Sequence, residues 1–321
     1  MRLLIAGGTS FVGRAIAWSA LHHGHEVTVI NRGVTPHDLP DNVEHLIGDR
    51  HGDLSALSGR TFDATVDTVA YRPSDVRALA DALDGRGGQH LQISSISAYR
   101  DADEAGLGES SLELWPEDDE LDVEGPITAT SYGPLKAASE RAAHAYFGEP
   151  LTIVRPTFVI GAFDATLRFP YWVERARRGG DVVVPGPTTN VMQYIDARDL
   201  ADFSVGLLAN AVTGAFHVAG PTPPDHFVDM VQRIVTHVAP AGSTVRVVDA
   251  QRVTEEGLED KFPLWSGATS ENLMAVDNAF ATANGLTLRD LEDSVDDVVA
   301  WWADRPWPAH WLTSDDEARL R

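Results

Sequence analysis

The chain has 321 residues, 43% of them hydrophobic, with a formal net charge of −23 and a pI near 4.7. That length and apolar content suit one large α/β domain or two coupled ones. The charge disfavours nucleic-acid backbones and anionic lipid as partners, and the lack of cysteine excludes disulfides and thiolate metal sites. The first apolar run, Leu3–Ala6, is shorter than a signal-peptide core, and no run approaches the ~20 apolar residues of a membrane span. A soluble, cytoplasmic protein is expected, with neither nucleic-acid nor membrane partners.

Short apolar runs alternate with helical patterns through the first half. Strands are expected at Leu3–Ala6, Glu26–Ile30, Val43–Ile47, Ala64–Val69, His90–Ser94 and Leu151–Val154. Helices are expected at Phe11–His23, Ser74–Leu83 and Ser131–Phe147, with Gly24 and Gly148 placed as left-handed caps. This alternation predicts an α/β fold, a doubly wound parallel sheet of Rossmann type. Between the fifth strand and the third of those helices, Asp101–Glu124 carries eleven acidic residues and no basic one. With its glycines and prolines it reads as a long loop, either a solvated insertion or a lid.

The second half is less regular. Helices are expected at Arg168–Arg178, Asp199–Asn210, Phe227–Val238, Asn278–Asn284 and Leu291–Trp302, and strands at Asp181–Val184 and Ala215–Ala219. The aromatic tail from Trp301 to Trp311 is expected to pack onto the body. His22, His23 and His25 end the first helix, where cations are favourable, so no metal site is assigned to them.

Two features carry chemistry. Gly7 and Gly13 bracket a turn between a strand and a helix, a context that lets the backbone and a helix N-terminus approach a pyrophosphate. Ser10 stands where glycine is commoner, and its small hydroxyl has room to donate to phosphate. The second strand ends in Asn31-Arg32-Gly33 without an acid to accept from a ribose 2′-hydroxyl. Arg32 instead suits a 2′-phosphate, favouring NADP(H), with NAD(H) the alternative. The third strand ends in Gly48-Asp49-Arg50, where Asp49 is placed to accept from the adenine amino group.

The second feature is Tyr132-x-x-x-Lys136, one of whose members is one of only two lysines in the chain. At helical spacing i and i+4 share a face. An ammonium ~4 Å from a phenol at an effective dielectric near 20 contributes about 4 kcal/mol, roughly three pKa units. That brings a tyrosine towards neutral pH, where it can move a proton.

Gly7-Gly8-Thr9-x-Phe11-x-Gly13, Ser94-Ser95-x-x-x-Tyr99, Tyr132-x-x-x-Lys136, Arg155-Pro156 and the segment Gln193–Ala201 occur in that order. Together they resemble the extended short-chain dehydrogenase/reductase family, also called the NAD-dependent epimerase/dehydratase family. The resemblance implies Ser95, Tyr132 and Lys136 as the catalytic set, with Ser94 and Ser97 as rival hydroxyls. Expected cofactor contacts are Gly7, Thr9, Ser10, Phe11, Val12, Gly13, Asn31, Arg32, Asp49, Arg50, Val69, Ala70, Tyr132 and Lys136. Expected substrate contacts are Tyr71, Ser97, Phe158, Arg168 and Met192.

Relatives acting on nucleotide-diphosphate sugars typically carry an asparagine where this chain has Phe158, and often an arginine where it has Met192. The resemblance therefore points to a reductase-like member moving hydride to or from a carbonyl of a small non-nucleotide substrate. Phe158, Phe163, Phe169, Tyr171 and Trp172 are candidates for an apolar pocket, with buried core as the alternative fate. Two further readings are an epimerase or dehydratase that recycles its hydride and a non-catalytic dinucleotide-dependent binding protein. Residues 1–160 with 191–220 are expected to form the dinucleotide domain, and 161–190 with 221–321 the substrate region. In relatives the second and third helices of the first half pair into a dimer interface, so a homodimer is expected.

Overall fold

Leu3, Leu4 and Ile5 are wholly buried because their strand lies inside a sheet covered on both faces. The computed structural model describes residues 1–118, 120–267, 272–303 and 305–320. Asp119 of the acidic segment and Asp304 of the aromatic tail lie outside the described residues. The chain divides into two units.

The first unit comprises Met1–Thr157, Ala197–Ala219 and Val276–Thr287. Its strands are β1 (Arg2–Ala6), β2 (Glu26–Asn31), β3 (Glu44–Ile47), β4 (Ala64–Asp67), β5 (Gln89–Ile93), β6 (Leu151–Pro156) and β7 (Gly214–Val218). They form one sheet in the order β7-β6-β5-β4-β1-β2-β3, and every pairing is parallel. The order reverses beside β1, which opens a crevice at the carboxyl ends of β1 and β4. The helices are α1 (Phe11–His22), α2 (Pro73–Leu83), α3 (Ala129–Phe147), α4 (Ala197–Ala209) and the short α5 (Ala279–Ala283). α1 packs on α4, where Ser19 Oγ donates to Asp202 at 2.6 Å, and α2 packs on α3.

Local chemistry sets the helix ends. α3 starts two residues before the expected Ser131 because Thr128 caps it. Thr128 Oγ1 accepts from the Ser131 amide at 3.1 Å, and Ser131 Oγ accepts from the Thr128 amide at 2.9 Å. α2 has Pro73 at its first turn, and Asp75 accepts from the Tyr71 and Arg72 amides at 3.0 and 2.9 Å. Gly24 adopts the expected positive φ of 75°. Gly148 also has positive φ, 59°, but its ψ of −143° lies outside the left-handed helical region expected for it.

The second unit comprises Phe158–Asp196, Gly220–Ala275 and Leu288–Arg321. Phe158–Ile160 pairs with Tyr194–Asp196, Asp181–Pro185 with Thr244–Val248, both parallel, and Val191–Met192 antiparallel with Asp225–His226. The helices Arg168–Arg177, Phe227–Val238 and Leu291–Trp302 enclose its core. Phe169, Tyr171 and Trp172 belong to that core, which decides between the two fates read for them. Trp302 and Trp311 stack at 5.0 Å within it, so the aromatic tail packs inward as expected. The strand at Thr244–Val248 was not expected from the sequence.

The unit boundaries differ from those read in the sequence. Residues 191–196 belong with the second unit because Tyr194–Asp196 pairs with Phe158–Ile160. Residues 276–287 return to the first unit because α5 covers β7: Phe280 stacks on Phe216 at 4.8 Å, and Asn278 donates to the Ala219 carbonyl at 2.7 Å.

Candidate active site

The β1–α1 turn is built for close approach. Gly7 has φ 87°, and a Cβ there would lie 2.5 Å from Thr68 Oγ1. A Cβ on Gly13 would lie 2.2 Å from the Gly7 carbonyl oxygen, so glycine lets α1 press onto the turn. Ser10 occupies the cap position, extended, and its side chain makes no capping hydrogen bond. The first turn of α1 holds no acid. This leaves an uncompensated helix N-terminus, favourable to an anionic group.

A cavity of about 330 Å³ opens beside this turn, at the ends of β1, β2 and β3 and the residues after β4. Of the expected cofactor residues, Gly7, Thr9, Ser10, Asn31, Arg32, Asp49, Arg50 and Val69 line it. Phe11, Val12 and Gly13 supply the first turn of α1 instead, and Phe11 opens that helix at a positive φ of 37°. Ala70 is fully buried and contributes its carbonyl to Lys136. His51, Leu54, Arg72, Asp75 and Leu79 also line the cavity and were missed. The position directly after Arg50 is the one signal that could have found His51, and nothing local marks the others.

The charged groups differ in freedom. Arg50 is locked to the buried Asp67 by two hydrogen bonds of 3.0 Å and to the Asp75 carbonyl at 3.2 Å. Burial opposes ionisation of Asp67, but the Arg50 charge and hydrogen bonds, with His90 and the Val69 amide, hold its carboxyl below its ordinary pKa. Arg32 is exposed and makes no hydrogen bond or ion pair among the described residues. Asn31 Oδ1 accepts from the Gly33 amide at 2.7 Å, while its side-chain nitrogen is buried without a partner among the described residues. A free cation, an orphaned donor and a bare helix N-terminus around one cavity fit the phosphates and sugars of a dinucleotide.

The tyrosine and lysine side of the site follows from α3. Lys136 is 3% exposed, and its Nζ donates to the carbonyls of Ala70 and Ile93 at 3.0 Å each. The lysine therefore fastens α3 to the ends of β4 and β5. Its Nζ lies 5.9 Å from the Tyr132 ring centroid and 4.6 Å from that of Tyr71. Two phenols face one ammonium, where the sequence had placed Tyr71 on the substrate side. Burial pushes the Lys136 pKa down to about 8, while Asp67, Glu140 and Asp75 act in the opposite direction. Burial and the charges of Asp67 and Asp75 raise that of Tyr71.

Ser95 follows β5 and caps the short turn Ile96–Ala98, its Oγ accepting from the Ser97 amide at 3.1 Å. Its rival Ser94 is committed elsewhere, donating to Glu140 at 2.5 Å. Gly133, between Tyr132 and Pro134, was not singled out in the sequence. A Cβ there would lie 2.3 Å from the Ser97 carbonyl oxygen, so this glycine lets the Tyr132 helix approach the Ser95 turn.

Of the remaining expected substrate residues, Ser97 lies on that turn and Phe158 is half-buried against the core of the second unit. Arg168 holds its guanidinium 5.6 Å from the Phe158 ring centroid. Met192 is 2% exposed and packs in that core, which makes it a core residue.

The acidic segment is fastened to the first unit. The Trp115 amide donates to the Ala98 carbonyl at 2.9 Å, Arg141 to the Trp115 carbonyl at 2.8 Å, and the Asp277 amide to the Leu107 carbonyl at 3.0 Å.

The sheet order, the glycine turn and the Tyr132–Lys136 helix define a Rossmann dinucleotide-binding protein of the extended short-chain dehydrogenase/reductase kind. The profile of the NAD dependent epimerase/dehydratase family matches residues 3–220, and the chain belongs to that family. Among solved structures, UDP-N-acetylglucosamine 4-epimerase from Bacillus cereus matches with TM-score 0.68 and 16% identity, covering 97% of this chain and 100% of that one. A dTDP-glucose 4,6-dehydratase from Streptomyces venezuelae, solved with NAD bound, matches with TM-score 0.67 and 21% identity, covering 94% and 97%. At those identities the likeness is one of fold. A curated relative, the chloroplast stem-loop binding protein of 41 kDa b from Arabidopsis thaliana, is 25% identical over 239 residues, 68% of this chain. The match spans 58% of that relative's length.

Proposed function

We propose that this protein is an NAD(P)-dependent oxidoreductase acting on a carbonyl or secondary alcohol of a small, non-nucleotide substrate, with NADP(H) preferred. The observation that carries the reading is the buried Lys136 ammonium facing Tyr132, beside the nucleotide-sized cavity. When bound, the nicotinamide supplies or accepts the hydride. Tyr132 gives or takes the proton at the substrate oxygen, and the Lys136 charge makes the phenol acidic enough for that role. Ser95 hydrogen-bonds the same oxygen as its charge develops. Arg32, free at the end of β2, supports a 2′-phosphate, whereas Arg50 is already spoken for by Asp67.

The apolar Phe158 supports a substrate without a diphosphate. The solved relatives named as sugar-nucleotide enzymes keep a second reading in play, an epimerase or dehydratase that returns its hydride. Stoichiometric NADPH loss supports the oxidoreductase, and turnover without net loss supports the second reading. The stem-loop binding relative raises RNA as a ligand, but a net charge of −23 supports a small-molecule role.

The test is a fluorescence titration with NADPH and NADH, followed by a carbonyl and sugar-nucleotide panel on wild type and Tyr132→Phe. The variant is expected to bind nucleotide as wild type does and to lose turnover by roughly 10²–10⁴-fold. Retained turnover sinks the reading.

A further inference from the structure

Ser95 sits in a turn gripped on both sides by one buried network. On one side Ser94 Oγ donates to Glu140 Oε1. On the other, Tyr99 OH accepts from Arg155 Nη1 at 2.6 Å. Arg155 in turn holds Glu140 through Nε at 3.0 Å and Nη2 at 2.6 Å. Residues flanking Ser95 therefore converge on one carboxylate. Glu140 lies on α3 one turn beyond Lys136 and two beyond Tyr132, on the same face. A single charge pair thus ties the Ser95 turn to the helix carrying Tyr132 and Lys136.

The network continues outwards. His217 Nδ1 lies 2.9 Å from the Asp277 carbonyl, so that nitrogen carries the proton. His217 Nε2 then accepts from Tyr99 OH at 2.7 Å. The backbone N–H of His217, on the edge strand β7, donates to Glu109 Oε1 at 2.7 Å. Glu109 belongs to the acidic segment. An edge N–H without an acceptor is costly when buried, and linked hydrogen bonds in a dry interior reinforce one another.

We propose that Glu109 is a positioning residue for Ser95, acting through His217, Tyr99, Arg155 and Glu140. The acidic segment is then part of the machinery that sets the Ser95–Tyr132 geometry. The catalytic meaning rests on the oxidoreductase reading, but the coupling itself does not.

Hydrogen-exchange mass spectrometry on the cofactor-free, full-length protein tests the coupling without any substrate. Glu109→Ala removes the acceptor, and Tyr99→Phe removes the central hydroxyl while keeping the ring. Each is expected to speed exchange across residues 94–99 at least tenfold. Glu109→Gln keeps an acceptor oxygen and should restore wild-type protection. Glu113→Ala, in the same segment but in an exposed pair with Arg100, should leave it unchanged. The double variant of Glu109→Ala with Tyr99→Phe should exchange no faster than the worse single variant, because both cut one path. Unchanged protection of 94–99 in Glu109→Ala, a uniform loss across the sheet, or additive singles would overturn the proposal. If Tyr99→Phe does not fold, the glutamate series decides alone. Once turnover is established, Glu109→Ala should lower kcat about tenfold with NADPH affinity unchanged, and a parallel loss of affinity would also overturn the proposal. A wild type without NADPH-dependent turnover would instead refute only the oxidoreductase reading.

Discussion

The two ends of the site in the first unit are built on opposite plans. At the end formed by β2 and β3, groups are left open: Arg32 has no partner among the described residues, and Asn31 keeps an orphaned donor. At the end formed by β5 and α3, polar groups are buried and paired, from Lys136 on two carbonyls to Glu140 under Arg155 and Ser94. Open groups keep their interaction energy for a ligand. Paired groups hold a geometry, and a displacement of about 1 Å in such a geometry costs on the order of 10²-fold in rate.

Three substitutions or conditions sharpen that contrast. Gly133→Ala should strike the paired end hardest, since its methyl would meet the Ser97 carbonyl oxygen at 2.3 Å. A kcat loss on the order of 10²-fold with NADPH affinity nearly unchanged is expected from steady-state kinetics and nucleotide titration. Wild-type kcat in a folded variant would mean that α3 and the Ser95 turn need no such close approach.

Arg32→Ala should strike the open end alone. Losing a charge-assisted contact of about 1.5–3 kcal/mol should weaken NADPH binding roughly tenfold or more while leaving NADH binding as it was. Equal losses for the two nucleotides would remove the case for a 2′-phosphate site.

The smallest effect is a pH dependence. With a pKa lowered to about 8, Lys136 loses its proton above that pH, so kcat should fall about twofold at pH 8 and further above it. Stability should move the other way. Between about 8 and 10.5 the unfolded chain holds the proton that the folded chain has released, so this group's contribution to stability rises with pH. The change amounts to about 3 kcal/mol across that window at most. A kcat flat to pH 10 would show that the buried ammonium keeps its proton.

Much of the fold was legible in the sequence because its signals are local. A buried parallel strand reads as a short apolar run, a helix as a 3.6-residue period, and the Gly7–Gly13 turn as glycine between the two. Tyr132 and Lys136 were recognisable together because four residues apart on a helix is one face. Thr244–Val248 was missed although its residues suit a strand, because Arg246 interrupts the apolar run and only Val248 is buried, so the short buried run that marks the other strands is lacking.

By itself, then, the sequence determined a Rossmann sheet, its family, and a tyrosine and lysine sharing one helix face. Only the tertiary structure decided that Tyr71 also faces that lysine, that Asp67 occupies Arg50 while Arg32 stays open, and that residues 276–287 rejoin the first unit. Periodicity encodes which side of an element is apolar. It carries no record of which distant carboxylate or ring will meet a given cation, because that depends on how separate elements pack.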